Sequence, residues 1–179
     1  MAYNISREQL HKMAPFASSA SLDKFLEPLN TSMNEFRINS PMRIASFLAQ
    51  LIHESGSFHY VEEIADGSVY EGRKDLGNTQ KGDGVKFKGR GLLQITGRSN
   101  YRDCGKALNL PLEEEPELLE EPLNACRSAA WFWNVHNLNS YADVGLFGKI
   151  TYVINGGYNG ATERAANYAR CKKVLNCAI

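Results

Sequence analysis

The chain has 179 residues, of which 43% are hydrophobic and 22% charged, and its formal net charge is zero. This length suits one domain with a substantial buried core. The balanced charge excludes a strong field that would recruit nucleic acid or an anionic membrane, and no apolar run reaches the roughly 20 residues of a membrane span. We therefore expect no nucleic-acid partner and no stable membrane insertion.

Three helices are predicted before residue 56. Ser6-Arg7-Glu8-Gln9 has the capping-box pattern and opens a short first helix that ends near Pro15. Apolar residues at helical spacing predict a second helix over 21–34. Asn39-Ser40-Pro41 supplies a cap and a first-turn proline for a third helix, which we expect to end at Gly56. Its apolar stripe has i, i+3, i+4, i+7, i+8 spacing and consists of Ile44, Phe47, Leu48, Leu51 and Ile52.

The pattern changes after the third helix. Glycines interrupt any long helix here, at positions Gly67, Gly72, Gly77, Gly82, Gly84, Gly89 and Gly91. We interpret residues 57–95 as a small irregular β-lobe with two or three short strands, including an alternating Val85-Lys86-Phe87 after a tight turn. Helical patterning resumes over three segments, 100–107, 122–132 and 162–175. The sequence predicts one mainly α (α+β) domain over residues 1–179.

Cysteine usage and the N-terminus bear on compartment and cofactors. Cys104, Cys126, Cys171 and Cys177 form no CxxC pair and no metal-like spacing, so we expect thiols, no metal and no cofactor. A bridge between the last two of these cysteines stays open. The first eight residues lack the basic start and apolar run of a secretory signal. We expect synthesis in the cytoplasm without a signal peptide.

Two segments carry the chemistry. Ile52-His53-Glu54-Ser55-Gly56 places a carboxyl group at the end of an apolar helix, where an apolar wall would keep it protonated for general-acid work. Residues 87–101 form a glycine-punctuated segment that carries Gln94, Thr96 and Asn100 toward a cleft. Amides both donate and accept, which suits sugar hydroxyl and N-acetyl groups. A carboxylic acid facing such groups is what glycoside hydrolysis requires.

The second carboxylate is expected in the loop after Gly56. Four residues qualify, namely Glu62, Glu63, Asp66 and Glu71. A turn at Ser55-Gly56-Ser57 would bring Glu63 back toward Glu54, and inverting glycosidases hold their carboxyl groups about 6.5–9.5 Å apart. The residues alone leave Glu62 and Glu63 both open as the general base.

Four motifs together resemble glycoside hydrolase family 19, most nearly its single-domain phage and prophage endolysins. In chain order they are His53-Glu54-Ser55-Gly56, residues 73–79, residues 87–101 and Ile154-Asn155-Gly156-Gly157. The resemblance covers about residues 40–175. It implies a lysozyme-like, mainly helical fold whose small β-lobe flanks the cleft. It also implies hydrolysis with inversion at the anomeric carbon.

The resemblance also implies residue roles. Glu54 matches the general acid, Glu63 the general base of the endolysin branch, and Thr96 the residue that helps hold the attacking water. Plant-type members place the base in a longer loop, so the match of Glu63 is the least direct. Matched substrate contacts are Gln94, Asn100, Asn155 and Arg164. Arg164 resembles a family arginine that pairs with the catalytic carboxylates, although its local sequence departs from the chitinases.

Aromatic side chains near these motifs offer faces on which sugars stack. They are Tyr60, Tyr70, Tyr101, Tyr158 and Trp131, and core or rim packing is the alternative role of each. We assign Tyr101 to substrate binding.

Several other functions compete with this one. His53-Glu54 begins like the metalloprotease motif HExxH, but Ser57 stands where the second histidine belongs, so the motif fails. A chitinase acting on chitin oligomers, a non-catalytic cell-wall glycan-binding module and a toxin delivered between bacteria stay open. The compact loops and the missing signal favour peptidoglycan glycan strands. We expect a monomeric muramidase-type endolysin that acts on the cell wall, in the periplasm, for host cell lysis, with holin-dependent release left open.

Overall fold

The computed structural model describes residues 3–177, and Met1, Ala2, Ala178 and Ile179 lie outside that range. Within it the chain forms nine α-helices. They are α1 (Arg7–Met13), α2 (Ser19–Glu35), α3 (Pro41–Glu54), α4 (Asp83–Lys86), α5 (Arg98–Leu108), α6 (Pro122–Val135), α7 (Leu138–Asp143), α8 (Phe147–Asn155) and α9 (Ala161–Val174). Short 3₁₀ turns cover Ser68–Tyr70, Lys74–Leu76 and Pro116–Glu120.

The helix starts follow the capping signals of the sequence. Ser6 Oγ accepts the backbone N–H of Gln9 at 3.1 Å, and Gln9 Oε1 accepts the backbone N–H of Ser6 at 2.9 Å. This reciprocal pair is the predicted capping box. In α3, Ser40 Oγ accepts the backbone N–H of Arg43 at 3.3 Å, without the reciprocal bond. Pro41 occupies the first turn, where its missing N–H costs no helical hydrogen bond.

Helix α3 lies at the centre of the larger hydrophobic core. All nine residues from Ile44 to Ile52 are buried, and α3 packs against α9 while α2 packs against α6. Burying an aliphatic or aromatic side chain contributes about 1.5–3 kcal/mol, so this helix is fixed on every side. Its C-terminus, Glu54, therefore projects from the most rigid part of the molecule.

The lobe (residues 57–95) is assembled from turns. No continuous strand forms anywhere in residues 3–177, and pairing in the lobe is reduced to two isolated antiparallel bridges, Glu62 with Arg90 and Arg90 with Ile95. The mainly helical fold class is confirmed. The strand expected at 85–87 is wrong: the Asp83 carboxylate accepts the backbone N–H groups of Thr79 and Gln80, and α4 begins at Asp83.

The four cysteines are free thiols, so the bridge left open between Cys171 and Cys177 does not form. Cys104 and Cys126 are buried as well as Cys171, and burial raises the pKa of Cys104 and of Cys171 to about 12. Within residues 3–177, no helix combines the length and apolar character needed to cross a membrane.

Candidate active site

Glu54 is the last residue of α3, and an arginine faces it. Arg164 on α9 donates from Nη2 to Glu54 Oε1 at 2.5 Å. The Glu54 side chain keeps 24% of its surface exposed, whereas the Arg164 side chain keeps 2%. The apolar wall expected beside Glu54 is therefore wrong on this side, because Leu51 and Ile52 point into the core and a guanidinium faces the carboxyl group.

A buried polar network holds Arg164 in place. Its Nη1 donates to Gln50 Oε1 at 2.5 Å, and its Nε donates to the carbonyl oxygen of Asn159 at 3.1 Å. Gln50 donates in turn to Thr151 Oγ1 at 2.9 Å, and Gln50 is fully buried. The network joins α3, α8 and α9. We call Gln50, Glu54, Thr151 and Arg164 the acid cluster.

A strained turn carries the chain from Glu54 into the lobe. Gly56, Ser57 and Phe58 have positive φ angles of 56°, 59° and 66°, and side-chain-bearing residues rarely adopt this conformation. Ser55 Oγ accepts the backbone N–H of Phe58 at 2.8 Å. Phe58 is buried and packs against Phe25 with ring centroids 5.9 Å apart, so core packing offsets the backbone strain. The turn redirects the chain before Glu63.

Uncharged donors hold Glu63. The hydroxyl of Tyr70 donates to Glu63 Oε1 at 3.0 Å, and the backbone N–H of Gly89 donates to Glu63 Oε2 at 3.1 Å. The backbone N–H of Glu63 donates to the carbonyl oxygen of Gly89 at 2.9 Å. A Cβ at Gly89 would collide with Gln94 Oε1 and lie 3.1 Å from Glu63 Oε2, so only glycine leaves both side chains room.

The neighbouring Glu62 is held differently. Its Oε1 lies 2.8 Å from Lys88 Nζ and 3.8 Å from Arg90 Nη2. Glu62 is thus engaged by two cations, whereas the donors to Glu63 are uncharged. This contrast favours Glu63 over Glu62 as the base.

Three predicted substrate residues line one cavity of about 280 Å³. Thr96 Oγ1 donates to the carbonyl oxygen of Gln94 at 3.1 Å, and Asn100 Nδ2 donates to the carbonyl oxygen of Thr96 at 2.7 Å. Gln94 has a φ of 54°, a second left-handed position near Glu63. The full lining is Leu76, Leu93, Gln94, Ile95, Thr96, Asn100, Trp131, Phe132 and His136. Trp131 was named from the sequence as a possible stacking face, but Phe132 and His136 were not, because this part of the chain is far from residues 94–100 in sequence.

Asn155 and Arg164 lie apart from that cavity wall. Asn155 ends α8, and its Nδ2 is buried without a hydrogen-bond partner in the described part of the chain. A donor left unpaired in this way is free for a ligand. The candidate residues thus fall into two groups, one around Glu54 and one around Glu63 and Gln94.

Tyr101 is not available to a substrate, so its assignment is corrected. It is fully buried in the smaller hydrophobic cluster, with its ring centroid 5.3 Å from that of Phe87. Its hydroxyl donates to the carbonyl oxygen of Lys88 at 2.6 Å and accepts from Arg90 Nη1 at 3.2 Å. Tyr101 therefore supports the segment that carries Gly89. Tyr60 and Tyr158 are 44% and 63% exposed and keep faces on which a sugar could stack.

A metal centre finds no support in this part of the molecule. Within residues 3–177, no group of three or more histidine, cysteine, aspartate or glutamate side chains is arranged to hold a metal ion. His53, next to Glu54, packs against Gly160: a Cβ there would lie 2.5 Å from His53 Nε2.

Comparisons with known proteins show which family the chain resembles. The family model Glyco_hydro_19, described as chitinase class I, matches residues 37–144. An endochitinase of Arabidopsis thaliana is 42% identical over 133 residues, which are 74% of this chain and 45% of that protein. A glycosyl hydrolase family 19 domain-containing protein of Haemophilus influenzae is 29% identical, over 94% of this chain and 96% of its own.

Solved structures show the same fold. A bacterial family 19 chitinase superposes with a TM-score of 0.81 at 23% identity, covering 98% of this chain and 97% of that one. The chain spans about half the length of the plant relatives it matches. The chain belongs to glycoside hydrolase family 19, a family of glycosidases.

Proposed function

We propose that the protein is an inverting glycosidase that cleaves β-1,4 bonds between N-acetylated sugars, with Glu54 as general acid and Glu63 as general base. One observation carries the proposal: two carboxyl groups, one before and one after the strained turn at Gly56–Phe58 in the chain, are each fixed by a different set of donors. The polar cavity with Gln94 and Thr96 adjoins the second of them.

Glu54 donates the proton. In its protonated form it gives the proton to the glycosidic oxygen as the bond from that oxygen to the anomeric carbon breaks. The carboxylate that remains is stabilised by Arg164, whose guanidinium is already in place at 2.5 Å. Because the acid cluster is buried and hydrogen-bonded, this stabilisation needs little rearrangement during the reaction.

Glu63 activates the water. It takes a proton from a water molecule as the water oxygen forms its bond to the anomeric carbon, on the face opposite the leaving sugar. The donors to Glu63 are a phenol and a backbone amide, one on each carboxylate oxygen, and together they orient the carboxylate. Thr96 is proposed to help hold this water, and Gln94, Asn100 and Asn155 to bind the sugar.

For the substrate we propose peptidoglycan glycan strands, hence a muramidase-type endolysin. The compact lobe, built from turns, supports this choice. We further propose that the protein is a monomer, made in the cytoplasm and released to the cell wall with holin assistance to lyse the host. Chitin is the second candidate, because the plant relatives are named endochitinases.

The test is a digest of purified peptidoglycan sacculi, reduced and examined by mass spectrometry, with Glu54→Gln as the inactive control. Fragments ending in reduced N-acetylmuramic acid support a muramidase. Fragments ending in reduced N-acetylglucosamine would show that the protein is a glycosidase that cleaves the other glycosidic bond of the strand. Intact sacculi with cleaved chitin oligomers favour the chitinase, and binding without turnover on either substrate favours a non-catalytic module.

A further inference from the structure

We propose that Tyr70 is the positioning residue of the base: its hydroxyl fixes Glu63 in the orientation that accepts the proton of the attacking water. The inference rests on the proposed function of Glu63. It starts from the 3.0 Å hydrogen bond between the Tyr70 hydroxyl and Glu63 Oε1, which the sequence motifs do not indicate.

The hydroxyl of Tyr70 is a donor in this bond. Partial burial, with a further contribution from Glu63, raises the pKa of Tyr70 above its usual value, so the phenol keeps its proton at neutral pH. A phenol that donates to a carboxylate stabilises the charged form and restricts its rotation. The backbone N–H of Gly89 holds the other oxygen, so the two donors together fix the plane of the Glu63 carboxylate.

The backbone of Tyr70 is anchored. Asn78 Nδ2 donates to the carbonyl oxygen of Tyr70 at 2.8 Å, and the buried Asn78 accepts through Oδ1 the backbone N–H of Arg98, the first residue of α5. On the other side, the Glu71 carboxylate accepts the backbone N–H groups of Gly82 and Gly84 at 2.7 and 2.8 Å. The backbone that carries Tyr70 is therefore held in place by contacts other than the one between its hydroxyl and Glu63.

This anchoring distinguishes a positioning role from a packing role. The lobe lacks regular strands in the described residues, so Glu63 has no helix or sheet to define its geometry. The Tyr70 hydroxyl defines the geometry of Glu63, since the Tyr70 backbone is linked through Asn78 to the start of α5. Removing only the hydroxyl should leave the ring packing intact and release one carboxylate oxygen.

The test compares Tyr70→Phe with the wild type on a soluble substrate, either peptidoglycan fragments or chitin oligomers, whichever the protein cleaves. We expect kcat to fall about 10-fold, the size of one hydrogen bond to a charged group, and KM to stay within about 2-fold. We also expect the acidic limb of the pH–rate profile to move to higher pH, because the charged base loses a donor. Tyr168→Phe is the matched control, since that hydroxyl lies 4.0 Å from Met42 Sδ, in the helical core and not in the lobe.

A double-mutant cycle makes the test specific. If Tyr70 acts through Glu63, Tyr70→Phe causes no further loss when Glu63 is already glutamine. The Glu63→Gln background, in which we expect turnover reduced about 100-fold, keeps a measurable residual rate for this comparison. With that reduction observed, an equal loss in both backgrounds, a change confined to KM, or no change in kcat would overturn the inference. Wild-type turnover by Glu63→Gln alone would instead overturn the assignment of the base, and the inference with it.

Discussion

The acid cluster and the lobe solve the same problem, fixing one carboxyl group, by different means. Glu54 ends a helix whose residues 44–52 are all buried, and it meets a guanidinium that other groups hold in place. Glu63 lies in a segment of turns and is fixed by a phenol and a backbone amide. The comparison indicates that the position of the acid depends on the packing of helices, whereas the position of the base depends on local turn geometry.

Arg164→Leu should break the acid cluster with the largest effect. The substitution leaves Gln50 Oε1 buried without its donor and Glu54 without its cation, which we expect to cost about 3 kcal/mol of stability. Turnover should fall at least about 100-fold, because the carboxylate left after proton transfer loses its stabilisation. Thermal unfolding and initial rates measure both effects. Arg164→Lys keeps the positive charge but loses the planar guanidinium that donates to both Gln50 and Glu54. An unchanged rate in both variants would contradict the role of the acid cluster.

Gly67→Ala should break the lobe with an intermediate effect. Gly67 has a φ of 84°, and a Cβ there would lie 2.5 Å from the carbonyl oxygen of Gly84. We expect a loss of about 2–3 kcal/mol, combining backbone strain with the collision, and a matching loss of turnover. Gly72→Ala is the control: its φ is 68°, but nothing lies within 4 Å, so only the backbone cost of about 1 kcal/mol remains. Equal effects of the two variants would show that the close approach is unimportant.

A fall in pH should loosen the lobe before the helical core, which is the smallest of these effects. Arg98 lowers the pKa of the buried Asp83 below its ordinary value of 3.8. Since the folded-state pKa is the lower one, the stabilisation is present above about pH 4 and is lost as the pH falls through the folded value. Amide hydrogen exchange should therefore accelerate in the lobe relative to α3 below about pH 4. Asp83→Asn should reduce the difference in exchange rate between the lobe and α3. Exchange that accelerates equally in the two regions of the wild type would contradict the prediction.

The sequence predicted the helices better than the lobe. Capping residues and the apolar stripe located α1 and α3 closely, because these signals are local. The short helix α7 was not predicted, because six residues are too few to show a periodic pattern. The alternation at 85–87 was misleading because the Asp83 carboxylate binds the backbone N–H groups of Thr79 and Gln80 and the distant Arg98, and these bonds decide the local structure there.

The site was also predicted only in part, because motifs are local in sequence and the contacts between side chains are not. Motif resemblance pointed to Glu54, Glu63 and Thr96, whose roles remain predictions. It could not show which tyrosine meets a carboxylate, and the choice of Tyr101 was wrong because its hydroxyl is used inside the core. Tyr70 was named from the sequence only as a face on which a sugar could stack, and no motif indicated its hydrogen bond to Glu63.

The most direct measurement of the central claim is the turnover of two neighbouring variants, Glu63→Gln and Glu62→Gln, on sacculi. Both remove one negative charge from adjacent residues of the lobe, but only Glu63 is held by uncharged donors, and Glu62 pairs with Lys88. The account predicts at least about a 100-fold loss for Glu63→Gln and less than about 3-fold for Glu62→Gln. The reverse order would contradict it and move the base to Glu62.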